Sequence, residues 1–291
     1  MKIGVVFPQT EIGVDPEGIR RYVTEVESAG FDHLAIYDHV LGASPRPDLN
    51  GPYTLADQFH EVLVLYGYVA AITRRIELAT EILVLPQRQT ALVAKQAAQI
   101  DLLSGGRLRI GVGIGWNWVE YEALGMDFRS RGRRLEEQIA LLRELWSTPE
   151  VAFKGRDHTV SAAGLNPLPT RRIPIWIGAT ADVGLKRAAR LADGWQSELG
   201  LGPELDENLL RLRRYLAEEG RDPATFGIAG EVGLGGSGVE QALHDVRRWA
   251  ALGATHVSLT TMGHGLTGPD DHLAPLMEFK RAWEGSPGSR V

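Results

Sequence analysis

Asp38 and His39 stand side by side where an apolar run, Leu34 to Tyr37, gives out. A histidine titrates near neutral pH, so it can take or give a proton at a bound substrate, and an adjoining carboxylate can orient its ring. The residues alone leave a second reading open, a histidine satisfied by hydrogen bonds at a strand end. Two further stretches also follow apolar runs. "GIGWN", residues 113–117, offers backbone amides made approachable by Gly113 and Gly115, although tight packing of a turn asks for the same glycines. "GATAD", residues 178–182, puts Thr180 or Asp182 near a helix start, with Gly178 and Ala179 leaving room for a phosphate against free amides. A plain helix cap would need no ligand there.

Other chemistries find less support. The eight histidines show no H-E-x-x-H pairing, and with no cysteine there is neither a thiolate metal ligand nor a thiol nucleophile. A Schiff-base lysine should end a strand, and none of Lys2, Lys95, Lys154, Lys186 and Lys280 does so.

The elements that must position these residues repeat along the chain. An apolar run Ile3–Phe7 precedes a helical pattern from Pro16 to Ala29 closed by Gly30, and Leu34–Tyr37 follows as a second strand. Strand-like "IELATEILVL", "RLRIGVG", "IPIWIG", "GWQSE", "FGIAGEVG" and "THVSLTTMG" then alternate with helical segments, giving eight strand-then-helix units. That alternation predicts a single α/β domain, a (β/α)8 TIM barrel over 1–284, with insertions after strands two and four and a disordered tail at 285–291. The second insertion contains "VAFKGRDHTV", a candidate hairpin. In such a barrel the site lies at the C-terminal ends of the strands, where every candidate above falls. The rival is a doubly wound dinucleotide fold, but Gly111, Gly113 and Gly115 give G-x-G-x-G, with Trp116 where the third fingerprint glycine belongs.

Bulk properties narrow the partners. A formal charge of -6 with scattered basic residues argues against nucleic acid. The apolar start of "MKIGVVFPQT" turns polar too soon for a secretion signal, and no run approaches the roughly 20 apolar residues of a membrane span. Together with the missing cysteines this suits a cytoplasmic protein.

The blocks "AIYDHV", "IELATEILVLPQRQTALVAKQAAQIDLLSGGRLRIGVGIGWN", "RGRRLEEQIALLRELW" and "IPIWIGATADVGLKRAARLADGW" resemble, in order, the bacterial-luciferase-like superfamily of flavin- and deazaflavin-dependent oxidoreductases. The likeness runs from Lys2 to about Trp195 and is strongest toward the branch that uses the deazaflavin coenzyme F420. It implies a coenzyme ring at the barrel mouth, backed by a non-proline cis peptide at Glu81–Ile82. It also implies that His39 is the acid/base or substrate-positioning group, with Asp38 orienting it or touching the ring. Coenzyme contacts then fall to Asp38, His39, Glu81, Ile82, Gly113, Gly115, Trp116, Asn117, Gly178, Ala179 and Thr180.

Departures from the family pattern also carry information. Trp116 aligns with a catalytic carboxylate of the sugar-phosphate dehydrogenases, so a sugar phosphate is not implied; together with Tyr37, Tyr53 and Trp118 it leans toward an apolar or aromatic substrate. Ile114 takes the place of an arginine that binds flavin phosphate in luciferase-type members, which favours F420 and hydride transfer over FMN and an oxygen-using monooxygenase with a partner reductase. A barrel that binds flavin without turnover stays open. The resemblance also implies a homodimer packed through the helices after strands two and three.

Overall fold

The computed structural model describes residues 1–236 and 238–286. The expected tail lies outside the described residues from 287 onward, and Gly285 is the C-cap of the last helix. Eight parallel strands close on one another. They are β1 (Lys2–Val6), β2 (His33–Ile36), β3 (Glu77–Thr80) continued by β4 (Leu83–Val84), β5 (Leu108–Gly113), β8 (Ile175–Gly178), β9 (Gly194–Gln196), β10 (Gly227–Gly233) and β11 (His256–Thr260). Neighbours run β3, β2, β1, β11, β10, β9, β8, β5, and pairing of Leu78 with Leu108 joins the ends into a (β/α)8 barrel. The helices α1 (Pro16–Ser28), α2 (Val62–Ile72), α3 (Thr90–Ser104), α5 (Arg131–Ser147), α6 (Asp182–Leu191), α7 (Pro203–Glu218), α8 (Gly238–Ala251) and α9 (Gly268–Glu284) surround it. The hairpin expected in the second insertion is present as β6 (Val151–Lys154) and β7 (Thr159–Ala163). No helix of the described residues is long and apolar enough to cross a membrane.

Local chemistry sets several boundaries. Asp15 caps α1 by accepting the Gly18 amide at 3.0 Å, and Pro16 starts it in the first turn, where its missing N–H costs nothing. The apolar segment 55–72 becomes helical only from Val62: Asp57 Oδ2 takes the Thr54 amide at 2.7 Å in a turn, and Glu61 caps the helix through the Val64 amide at 2.7 Å. A short helix not anticipated from the sequence, α4 (Trp118–Ala123), follows the β5 loop.

The strand expected over 76–85 is interrupted, because the Glu81–Ile82 peptide bond is cis and separates β3 from β4. Both halves pair with β5, Leu78 with Leu108 and Leu83 with Val112. Barrel interiors are usually filled by branched aliphatic layers; this one carries polar groups along its axis. Buried His33 Nε2 lies 2.9 Å from Ser258 Oγ, which donates to Glu81 Oε1 at 2.9 Å. Arg109, also buried, pairs with Glu77 and stacks its guanidinium 4.3 Å from the Trp176 ring centroid. Glycines make the space: a Cβ on Gly4 would lie 2.3 Å from the His33 ring.

Candidate active site

The C-terminal ends of the strands converge on a cavity of about 630 Å³, within the usual range for small-molecule sites. Each of the eleven residues singled out in the sequence, Asp38, His39, Glu81, Ile82, Gly113, Gly115, Trp116, Asn117, Gly178, Ala179 and Thr180, lines it. Their partners differ from those expected.

His39 meets Glu120, not Asp38: His39 Nδ1 lies 3.0 Å from Glu120 Oε2, with both side chains nearly buried. The other oxygen, Oε1, accepts the amides of Val40 at 2.6 Å and Leu41 at 3.0 Å, so the carboxylate is fixed from three directions. Asp38 points elsewhere. Arg88 binds it in a fork, Nη2 to Oδ1 at 2.6 Å and Nε to Oδ2 at 3.3 Å, and the Val84 amide adds a third bond at 2.9 Å. Arg88 also reaches Glu61 at 2.7 Å, tying the end of β2 to β4 and to the start of α2. The reading of Asp38 as the group that orients His39 is therefore corrected, since Arg88 and the Val84 amide take up its carboxylate.

Glu120 was missed in the sequence, though a signal was present. Asn117 caps α4 by accepting the Val119 amide at 3.1 Å, and Glu120 sits three residues on, the capping-box spacing. Here the glutamate reaches to the β2 loop instead of back to the cap. Asn117 Nδ2 donates to Leu41 O at 3.3 Å, so both functional groups of this expected coenzyme contact are engaged within the protein.

Around His39 stand three aromatic rings, Tyr53 at 5.4 Å, Phe59 at 4.8 Å and Trp116 at 5.4 Å between centroids, all edge-on. The first insertion reaches over Trp116 at Gly51, where a Cβ would lie 2.1 Å from the indole. The glycines of the strand ends serve close packing: a Cβ on Gly113 or Gly178 would meet Ile82 at 2.6 or 2.7 Å, and one on Gly115 would meet Val84 at 2.6 Å. Ile82, after the cis bond, thus fits between the ends of β5 and β8.

The remaining walls are polar. Tyr37 donates its hydroxyl to Glu231 at 2.5 Å. Burial pushes the Glu81 carboxyl up to about 7, with Arg109, Ser258 and Gln196 opposing the rise and Glu231 adding to it. Burial also raises Glu231. Gln87 is 2% exposed, lines the cavity, and has no hydrogen-bond partner for either amide atom among the described residues. The N-terminus of α6 has no side-chain cap, since Thr180 does not bond to its amides and Asp182 turns to Tyr215 and Lys186. Beside it Arg187, 8% exposed, lines the cavity and is held by Glu136 at 3.0 Å. Its position one turn after Val183 and Gly184 was the available signal, but a helical arginine ordinarily reads as solvated. Among the described residues no group of three or more His, Cys, Asp or Glu side chains is placed to hold a metal.

Comparison with known proteins places this geometry among relatives. The family model described as luciferase-like monooxygenase matches residues 1–275. An uncharacterized protein of Mycobacterium tuberculosis is 37% identical over 205 residues, covering 67% of this chain and 70% of that one. The F420-dependent glucose-6-phosphate dehydrogenase of Kineococcus radiotolerans is 31% identical over 247 residues, 82% of this chain and 70% of its own. Among solved structures, an F420-dependent secondary alcohol dehydrogenase in complex with an F420-acetone adduct superposes with a TM-score of 0.78 over 96% of this chain and 97% of the other; at 17% identity this likeness speaks for the fold.

Proposed function

The chain belongs to the luciferase-like monooxygenase family, and from that premise we propose that it is an oxidoreductase moving a hydride between the deazaflavin coenzyme F420 and a small organic molecule. The observation that carries the reading is the His39–Glu120 pair, nearly buried at the wall of a coenzyme-sized cavity. The F420-dependent dehydrogenases among the relatives support the choice of coenzyme.

The residues fit such a group. The unpartnered Gln87 amide offers a donor and an acceptor to a polar ring edge or side chain. The loop Gly178, Ala179 and Thr180, leading into the uncapped start of α6, together with Arg187 would hold an anionic coenzyme tail, because helix amides and a guanidinium both favour phosphate. Glu81 and Ile82 would back the ring. The chemistry supplied by the bound coenzyme is two-electron hydride transfer.

The protein's own part is the proton. Glu120 accepts from Nδ1–H of His39, which fixes the tautomer and leaves Nε2 to take or give the substrate proton. When Nε2 gains a proton the ring becomes cationic, and the buried Glu120 carboxylate stabilises that charge at close range. Tyr53, Phe59 and Trp116 crowd the ring and keep water from it. Asp38 contributes at one remove, holding the end of β2 through Arg88.

Equilibrium binding of F420 and of FMN, followed by tryptophan fluorescence, tests the proposal. Tight F420 binding with weak FMN binding supports it. The reverse points to the oxygen-using monooxygenase of the family description, and binding of neither defeats the coenzyme reading.

A further inference from the structure

We infer that the part of the substrate that meets His39 is uncharged and presents a flat apolar face, selected by the rings of Tyr53 and Trp116. The inference deepens the oxidoreductase reading and rests on it for its place in a reaction.

The first insertion, residues 41–54, takes no part in the proton step, yet it builds this wall. It brings Pro52 and Tyr53 to the cavity and packs Gly51 against the Trp116 indole. Several contacts fix it to the segment that follows β5. Asn117 Nδ2 donates to Leu41 O at 3.3 Å, Trp118 Nε1 donates to Asp48 O at 3.2 Å, and the Arg46 guanidinium lies 4.8 Å from the Trp118 ring centroid. Just beyond the insertion, the Leu55 amide returns to Ala43 O at 3.0 Å. Tyr53 and Trp116, both edge-on to His39, are therefore held in place by the protein itself. Aromatic walls fixed in advance favour a flat apolar partner, because little freedom is lost when it packs against them.

The charges around these rings disfavour an anion. Of the described residues lining the cavity, Arg187 alone is a permanent cation. It sits on α6, after β8, whereas His39 follows β2, and β3 and β5 lie between those two strands. Glu136 holds it at 3.0 Å, on the side where the coenzyme tail is placed. Arg88, which grips Asp38, is occupied by that carboxylate and by Glu61. A negative substrate group beside His39 would share the cavity with Asp38, Glu120 and Glu231 and find no cation to pair with, a costly arrangement away from water. Nor do these carboxylates call for a positive group. Asp38 is bonded by Arg88 and the Val84 amide, Glu120 by His39 and the amides of Val40 and Leu41, and Glu231 by the Tyr37 hydroxyl. An uncharged molecule meets both conditions.

Calorimetric titration of the full chain, with and without saturating F420, compares benzyl alcohol, benzoate and benzylammonium near neutral pH, three probes that share a ring and differ in charge. Benzyl alcohol should bind on the order of tenfold tighter than either ion. Tyr53→Ala should weaken benzyl alcohol binding by on the order of tenfold, and Tyr53→Phe, which keeps the ring, should match the parent. Both variants should keep the parent's circular dichroism and F420 affinity, which reports that the cavity is intact. Either ion binding as tightly as benzyl alcohol overturns the inference, as does a failure of benzyl alcohol to bind. An affinity that Tyr53→Ala leaves unchanged, or that Tyr53→Phe lowers as far, overturns it too. If F420 fails to bind but the ring-dependent preference holds, the coenzyme reading falls and the substrate class stands. If F420 binds and the preference is absent, the substrate class falls and the coenzyme reading stands.

Discussion

His39 Nδ1 and Glu120 Oε2 lie 3.0 Å apart across 81 residues of sequence, one on the loop after β2 and the other on α4. The carboxylate that holds the histidine is thus supplied by the β5 side of the barrel mouth. Replacing it with an amide of the same shape separates charge from geometry. Glu120→Gln should keep F420 binding and lower kcat by about 10- to 100-fold, while His39→Ala should lower it by about 100- to 10,000-fold. Steady-state kinetics on the substrate found, with coenzyme affinity measured in parallel, checks both; an unchanged kcat in His39→Ala removes the proton role.

Arg88 sits between two carboxylates, Asp38 with a fully buried side chain and Glu61 partly exposed. Arg88→Met leaves Asp38 charged and unpaired in the interior, so chemical denaturation should show a loss of about 3–5 kcal/mol. A loss below about 1 kcal/mol would mean that the fork contributes no more than a surface pair.

Glu81 gives the fold a pH dependence of definite sign. Its carboxyl, ordinarily near 4.5, is pushed up to about 7 by burial, so the folded state holds the proton more tightly than the unfolded chain. The stability it contributes is complete below the unfolded value and declines as pH rises through the folded one. Glu81→Gln removes that decline. Relative to the parent, the variant should gain stability between about pH 5 and pH 8, by at most about 3 kcal/mol. Urea titrations at the two pH values measure the difference, and a constant gap between the proteins contradicts the assignment.

Gly51 lies against Trp116 with no room for a side chain. Gly51→Ala should displace the indole or the loop, costing about 1–3 kcal/mol and weakening binding of F420. The tryptophan emission maximum should shift with it. An unaltered spectrum and affinity would show that the first insertion yields freely.

A homodimer packed through α2 and α3 would cover apolar side chains that α2 leaves outside, Val64 at 70% and Tyr68 at 37% exposure. Val64→Asp should then shift the protein to monomer in sedimentation velocity. A parent protein that sediments as a monomer ends the proposal.

The sequence by itself determined the barrel, because hydrophobic periodicity and the turns between runs are local properties. Eight apolar runs, each followed by a helical pattern, leave little choice but a closed parallel sheet, and strand ends identify the mouth. The candidate residues followed from position alone: Asp38 and His39 after β2, and the glycine loops after β5 and β8. What tertiary structure decided is partnership. Asp38 and His39 are neighbours in the chain, yet one is bound by Arg88 and the other by Glu120, since segments distant in sequence meet at the rim. Gln87 and Gln196 look like ordinary polar residues in the sequence; only the fold buries them at the cavity with amide atoms left unpartnered. Burial is a property of the assembled barrel, and no local run of residues specifies it.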